Sequence, residues 1–217
     1  MRLRLVSALV LAAALVVAPG AVGKAPLTGV EVCGVGACVQ LSAGDAEQLW
    51  TLLDEGPAPA VAPFLVLRWH VSEGAPVETA YYVPSRRALR WPVEASGPVA
   101  LWRSLDPRAA AALTRAAAGL TPFAAPAPTR VTVGGRPVRA PATYLRLFGG
   151  VHVSTWPATA WVTVAFRAAA PGPWTDGLTD IALARHGPYV TIDRWIYRIP
   201  KAMARQALRR VPLTARR

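Results

Sequence analysis

Val30-Glu31-Val32-Cys33-Gly34-Val35-Gly36-Ala37-Cys38-Val39-Gln40-Leu41 reads as a β-hairpin closed by a disulfide. Val30, Val32, Val39 and Leu41 are β-branched or apolar residues suited to strands, and Gly34 and Gly36 mark a turn between them. If Val35-Gly36 is a two-residue turn, Gly34 and Ala37 form the flanking hydrogen-bonded pair. Cys33 and Cys38 then form the next, non-hydrogen-bonded pair, where side chains lie closest. Disulfide geometry accommodates that spacing.

A disulfide needs an oxidising compartment, and the N-terminus agrees with one. Met1-Arg-Leu-Arg4 is a short basic run, and Leu5 to Ala18 is apolar except for Ser7. With small residues at Ala21-Val-Gly23, residues 1–23 are expected to be a secretory signal peptide cleaved after Gly23. Leu5 to Ala18 is 14 residues. A bilayer span needs about 20, so a permanent anchor is not expected. Val30-Glu31-Val32 before Cys33 does not suit a lipoprotein site, and Leu3 separates Arg2 from Arg4, so no twin-arginine signal is present. A loop of six residues closed by Cys33–Cys38 should contribute about 2 kcal/mol through chain entropy. The histidines His70, His152 and His186 show no spacing that would recruit the cysteines to a metal, and nothing calls for a cofactor.

Cleavage would leave 217 − 23 = 194 residues and lower the net charge from +12 to +10, almost all of it arginine. Such a charge attracts an anionic envelope polymer or a lipid surface, with nucleic acid the weaker candidate for an exported chain. A GC-rich genome also enriches Arg, Ala, Pro, Gly and Val together, so composition alone offers a second account of the charge.

Punctuation along the chain predicts an α+β protein whose antiparallel sheets are covered by helices. Ser42 opens a helix, with Ala46, Leu49, Leu52 and Leu53 on one face, that Gly56-Pro57 ends. Phe64 to Val71 is a continuous apolar run suited to a well-buried strand, Val77 to Val83 returns antiparallel, and Ala88 to Trp91 continues the sheet. Asp106 and Pro107 start a second helix that Gly119 ends, with Leu113, Ala117 and Leu120 toward the sheet. The Pro/Ala stretch 121–128 is the best boundary, which divides the mature chain into 24–120 and 129–217.

The second part then repeats the order of the first. Arg130 to Val138 is a hairpin turning at Gly134-Gly135, Pro141 to Phe148 is helical, and Trp161 to Phe166 alternates as a strand. Leu178 to Ala184, Tyr189 to Ile192 and Trp195 to Ile199 are further strands, and Pro200 opens a last helix to Val211. Phe64 against Trp161 gives an offset of 97, and Val39 against Val138 an offset of 99. Two diverged tandem units, hairpin-helix-strand-strand-helix, account for this order, and one continuous α+β domain is the alternative.

Chemistry is sparse. The common nucleophile, zinc and phosphate-loop motifs are absent. A small secreted hydrolase would draw on His152 or His186 with Asp176 or Asp180, although Asp176-Gly177 is also ordinary turn chemistry. A binding surface would draw on Trp156 and Trp174, both in loops beside prolines, together with Tyr81 and Tyr82. The C-terminus adds Lys201, Arg205, Arg209, Arg210, Arg216 and Arg217 with no acidic residue after Pro200, which is +6 of the mature +10. Lys201, Arg205 and Arg209 are four apart and share a helix face. The expected function is therefore non-catalytic binding, after export, to a partner in the envelope or outside the cell.

Overall fold

The structure, a computed structural model, describes residues 29–49, 52–70, 78–93, 99–170, 172–175, 177 and 179–209. The expected leader 1–23, Asp176, and Arg210, Arg216 and Arg217 of the basic tail lie outside the described residues.

The opening hairpin is β1 (Gly29–Gly34) and β2 (Ala37–Gln40), paired Val32↔Val39, Cys33↔Cys38 and Gly34↔Ala37. Gly36 sits at φ +76, in the left-handed region that glycine enters without steric cost. Cys33 and Cys38 are disulfide-bonded with Cα atoms 4.0 Å apart.

Helix α1 (Ala43–Gln48) starts where expected, its Ser42 side chain accepting the Asp45 N–H, but it ends seven residues before Glu55, the last residue before the predicted stop (55 − 48 = 7). Leu52–Glu55 is instead strand β3, paired with β7 (Val99–Leu105). The sheet edge offers β3 ladder hydrogen bonds, and a helix this short gains little by adding a turn. β7 itself was not anticipated. β4 (Leu65–His70), β5 (Glu78–Val83) and β6 (Ala88–Val93) complete the sheet in the order β2-β1-β4-β5-β6-β7-β3, with every pairing antiparallel. Helix α2 (Pro107–Ala116) is capped by the Asp106 carboxylate, which accepts the Arg108 N–H at 2.8 Å. Strand alternation turns Val30, Val32, Leu65, Leu67, Trp69, Tyr82 and Leu89 to one face, where Ala46 of α1 and Ala109 and Leu113 of α2 cover them.

The second sheet comprises β8 (Pro128–Val133), β9 (Arg136–Pro137), β10 (Val151–Val153), β11 (Trp161–Ala168), β12 (Ile181–Ala184), β13 (Tyr189–Ile192) and β14 (Trp195–Arg198). A 3-10 helix, Pro141–Gly149, precedes β10, and α3 (Lys201–Leu208) follows β14. The order is β10-β14-β13-β12-β11-β8-β9. Counted within each half and read from the hairpin edge, both sheets run second, first, fourth, fifth, sixth, seventh, third.

Register agrees as well as order. Cys33↔Val66 and Thr132↔Ala165 are displaced by 132 − 33 = 165 − 66 = 99, and Leu65↔Tyr82 and Val164↔Ile181 by the same amount. Inward-facing Val32, Leu65, Leu67 and Tyr82 therefore correspond to Val131, Val164, Phe166 and Ile181, and all eight are buried. The offset of 99 at Val39 and Val138 fits this register, since Val138 donates its N–H to Val131 as Val39 pairs with Val32. The offset of 97 does not. Phe64 corresponds to Thr163, two residues beyond Trp161.

The halves meet through a shared core. Val83, Ala88 and Trp102, from the second face of the first sheet, pack in one cluster with Phe148, Trp174 and Tyr197. Arg90 on that face is 1% exposed and donates from Nη2 to Thr179 Oγ1 at 3.0 Å. The 121–128 stretch is pinned to the first sheet: Thr121 C=O accepts the Val35 N–H, and Phe64 and Phe123 exchange backbone hydrogen bonds. Among the described residues no helix is long and apolar enough to cross a membrane.

Candidate anion-binding groove

Lys201 opens α3 and Arg205 lies one turn further along it, on a helix seated on the core by Ala204 and Ala207. Ile199 donates its N–H to the Pro188 carbonyl at 2.8 Å, which ties the entry to α3 against the loop joining β12 to β13. That loop carries Arg185. Between helix and loop lies a cavity of about 280 Å³ lined by Arg185, Gly187, Pro188, Lys201, Ala204, Arg205 and Leu208.

The lining is cationic and apolar, with no carboxylate. Three charges of one sign around one cavity repel, and Lys201 and Arg205 at four-residue spacing cost each other a few tenths of a kcal/mol. The first turn of α3 also holds no acidic residue and Pro200 supplies no side-chain cap, so Lys201 stands near the positive end of the helix dipole. An anion in the groove would relieve all three terms. Arg209 is exposed at the C-cap of α3 and is not among the lining residues.

Arg185 belongs to no charged run in the sequence, its nearest cation being Arg194. Charge counted by half points to its neighbourhood. Residues 24–120 hold 8 Lys and Arg against 9 Asp and Glu, a net of −1, whereas residues 129–217 hold 14 against 3, a net of +11. A genome-wide bias enriches arginine throughout a chain. It does not remove acidic residues from one half, so composition alone is an insufficient account of the charge.

The aromatic surface expected from Trp156, Trp174, Tyr81 and Tyr82 is not assembled. Trp174 is 1% exposed: its ring meets Phe64, Trp102 and Phe148 at centroid distances of 6.5, 5.7 and 6.4 Å, and its Nε1–H donates to the Pro59 carbonyl at 3.1 Å. The loop folds inward because a large ring with one polar edge fills the gap between the halves and finds an acceptor there. Tyr82 is buried, and burial pushes its hydroxyl pKa up. Tyr81 is half-buried, edge-on to Phe64. Trp156 alone is open, at 58% exposure, with its ring 5.9 Å from Trp161.

Of the groups of the hydrolase reading, Asp176 lies outside the described residues. His152 is exposed on β10, 5.1 Å from the Trp195 ring and 6.1 Å from Tyr197. His186 is exposed and donates its backbone N–H to Thr159 Oγ1, while Asp180 donates its own to Asp193 Oδ1. Among the described residues neither histidine is ion-paired with Asp180. His70 lies 3.8 Å from Glu31 across the β1–β4 ladder. The Glu31 carboxylate lies near both cysteine sulfurs, which are already bonded to each other and offer no thiolate to a metal.

No protein-family model, curated protein or solved structure matches this chain, so its own residues carry the functional argument.

Proposed function

We propose that the chain is exported behind residues 1–23, oxidised outside the cytoplasm, and retained at the envelope by binding an anionic partner, without catalysing a reaction. The observation that carries this is the convergence of Arg185, Lys201 and Arg205 on one groove with no acidic residue in its lining. The +11 net charge of residues 129–217 supports it by supplying a long-range field of one sign. The Cys33–Cys38 disulfide supports the compartment.

The test is retention of the full-length exported protein on cells and on an immobilised polyanion, compared with Arg185→Gln/Lys201→Gln/Arg205→Gln. The parent should be retained at low ionic strength and released as the Debye length falls from about 10 Å at 0.1 M to about 3 Å at 1 M. The triple variant should elute at distinctly lower salt. Identical elution of the two proteins, or retention indifferent to salt, would show that the groove does not bind anions.

A further inference from the structure

We infer that the groove is half of a docking surface for an anionic lipid bilayer, and that the exposed ring of Trp156 is the other half. This rests on the anion-binding reading above and names its partner. The connection is built through the backbone. Trp156 lies against Trp161, Trp161 pairs with Ala184, and the next residue, Arg185, lines the groove and donates its N–H to the Ala160 carbonyl at 2.8 Å. His186, one residue further, donates its N–H to Thr159 Oγ1 at 3.1 Å. The loop that presents the indole is thus fastened to the loop that presents a groove cation.

The same end of the sheet carries a second open apolar residue. Val151, 69% exposed, pairs with Arg198, and Arg198 pairs with Tyr189, which follows Pro188 of the groove. Val151 and Trp156 are two of the four large apolar side chains exposed among the described residues; the others, Val35 and Val39, are on the disulfide hairpin. Arg198 and Arg209 are exposed and add to the positive charge of this half.

The mixture selects the partner. A hydrophilic polyanion would satisfy the guanidinium and ammonium groups but leave Trp156, Val151 and the exposed parts of Leu208 and Pro188 in water. A bilayer with anionic headgroups satisfies both kinds of group at once. Lys and Arg lie at the phosphate level, and an indole is favoured at the boundary between headgroups and acyl chains, where its ring is buried and its N–H stays wet.

The experiment is co-sedimentation of the full exported chain with phosphatidylcholine vesicles with and without phosphatidylglycerol, in parallel with binding to a soluble polyphosphate. The parent should bind the anionic vesicles much more tightly than the neutral ones. The triple glutamine variant should lose on the order of a hundredfold in vesicle affinity. Trp156→Ala should lose several-fold in vesicle affinity with its polyphosphate binding and thermal midpoint unchanged. Brominated lipids should quench the parent's emission more than that of Trp156→Phe. Binding to polyphosphate but not to vesicles would overturn the bilayer inference and leave the anion groove standing. Vesicle binding indifferent to both Trp156 variants would also overturn it. Binding to neither would overturn the groove as well.

Discussion

Removing the Trp174 ring tests how the two halves are joined. The side chain is fully enclosed and touches aromatic rings from both halves, Phe64 and Trp102 from the first and Phe148 from the second. A tryptophan buries about 200 Å², worth about 5 kcal/mol at 25 cal/mol/Å². Aromatic contacts add to this, and partial collapse of the cavity and compactness of the unfolded chain subtract. For Trp174→Ala the expected loss is about 4 kcal/mol, a large part of a typical stability of about 5–15 kcal/mol. Trp174→Phe keeps most of the ring but removes the Nε1–H donated to Pro59, and should cost about 1–2 kcal/mol. Urea denaturation followed by far-UV circular dichroism measures both, and avoids the changed fluorescence of the variants. The parent should unfold in one transition, because the shared core makes the halves interdependent, and Trp174→Ala should broaden or split it. A Trp174→Ala midpoint within about 1 kcal/mol of the parent's, with cooperativity intact, would refute the claim that this ring joins the halves.

Two further outcomes are expected. Burial raises the pKa of Tyr82 and of Tyr197, whose hydroxyl donates to the Ala58 carbonyl at 3.3 Å. Because the folded pKa lies above the unfolded value of about 10, their contribution is complete below that pH and is lost as pH rises beyond it. Denaturation midpoints should therefore fall above pH 10, and Tyr82→Phe/Tyr197→Phe should flatten the fall; an unchanged slope would count against tyrosine ionisation as its cause. The matching strand orders lead us to propose that the chain is a tandem duplication, in which Thr132 and Pro137 occupy the positions of Cys33 and Cys38. Thr132→Cys/Pro137→Cys should acquire a second disulfide on export, seen by mass spectrometry without reductant, whereas a persistent pair of free thiols would show that the two hairpins are not equivalent.

The sequence was most legible where one residue type enforces one local geometry. The Gly36 and Gly134-Gly135 turns, the Asp106-Pro107 start of α2 and the cysteine pairing all lie where expected, since each rests on interactions within a few residues. Leu52–Glu55 was misread because a pair of leucines suits a helix face as well as a strand, and only the edge of β7, about fifty residues later, decides between them. Trp174 misled for a related reason. Proline on its N-terminal side identifies a loop but not which way the loop folds, and the gap it fills is made by Phe64, Trp102 and Phe148 from distant positions. Lys201 and Arg205 were visible as a helical pair. Arg185 enters the groove only because the β12–β13 loop folds back to α3, which no local pattern records.

The strongest long-range information lay in a contrast between the second faces of matching strands. β4 and β11 both alternate, with Leu65, Leu67 and Trp69 buried on one face of β4 and Val162, Val164 and Phe166 on one face of β11, while Arg68, Thr163 and Ala165 are exposed. At the shared offset, Val66 and Tyr81 on the second face of the first sheet correspond to Ala165 and Asp180 in the second, and both of these are exposed. Val66 and Tyr81 are half-buried against the shared core, which covers this part of the second face of the first sheet. The first sheet thus lies between α1 and α2 on one face and the second half over part of the other. The second half keeps an open outer face and holds the excess positive charge. Arg90, buried between the halves, is held by its hydrogen bond to Thr179, whereas Lys201 and Arg205 of the second half are exposed.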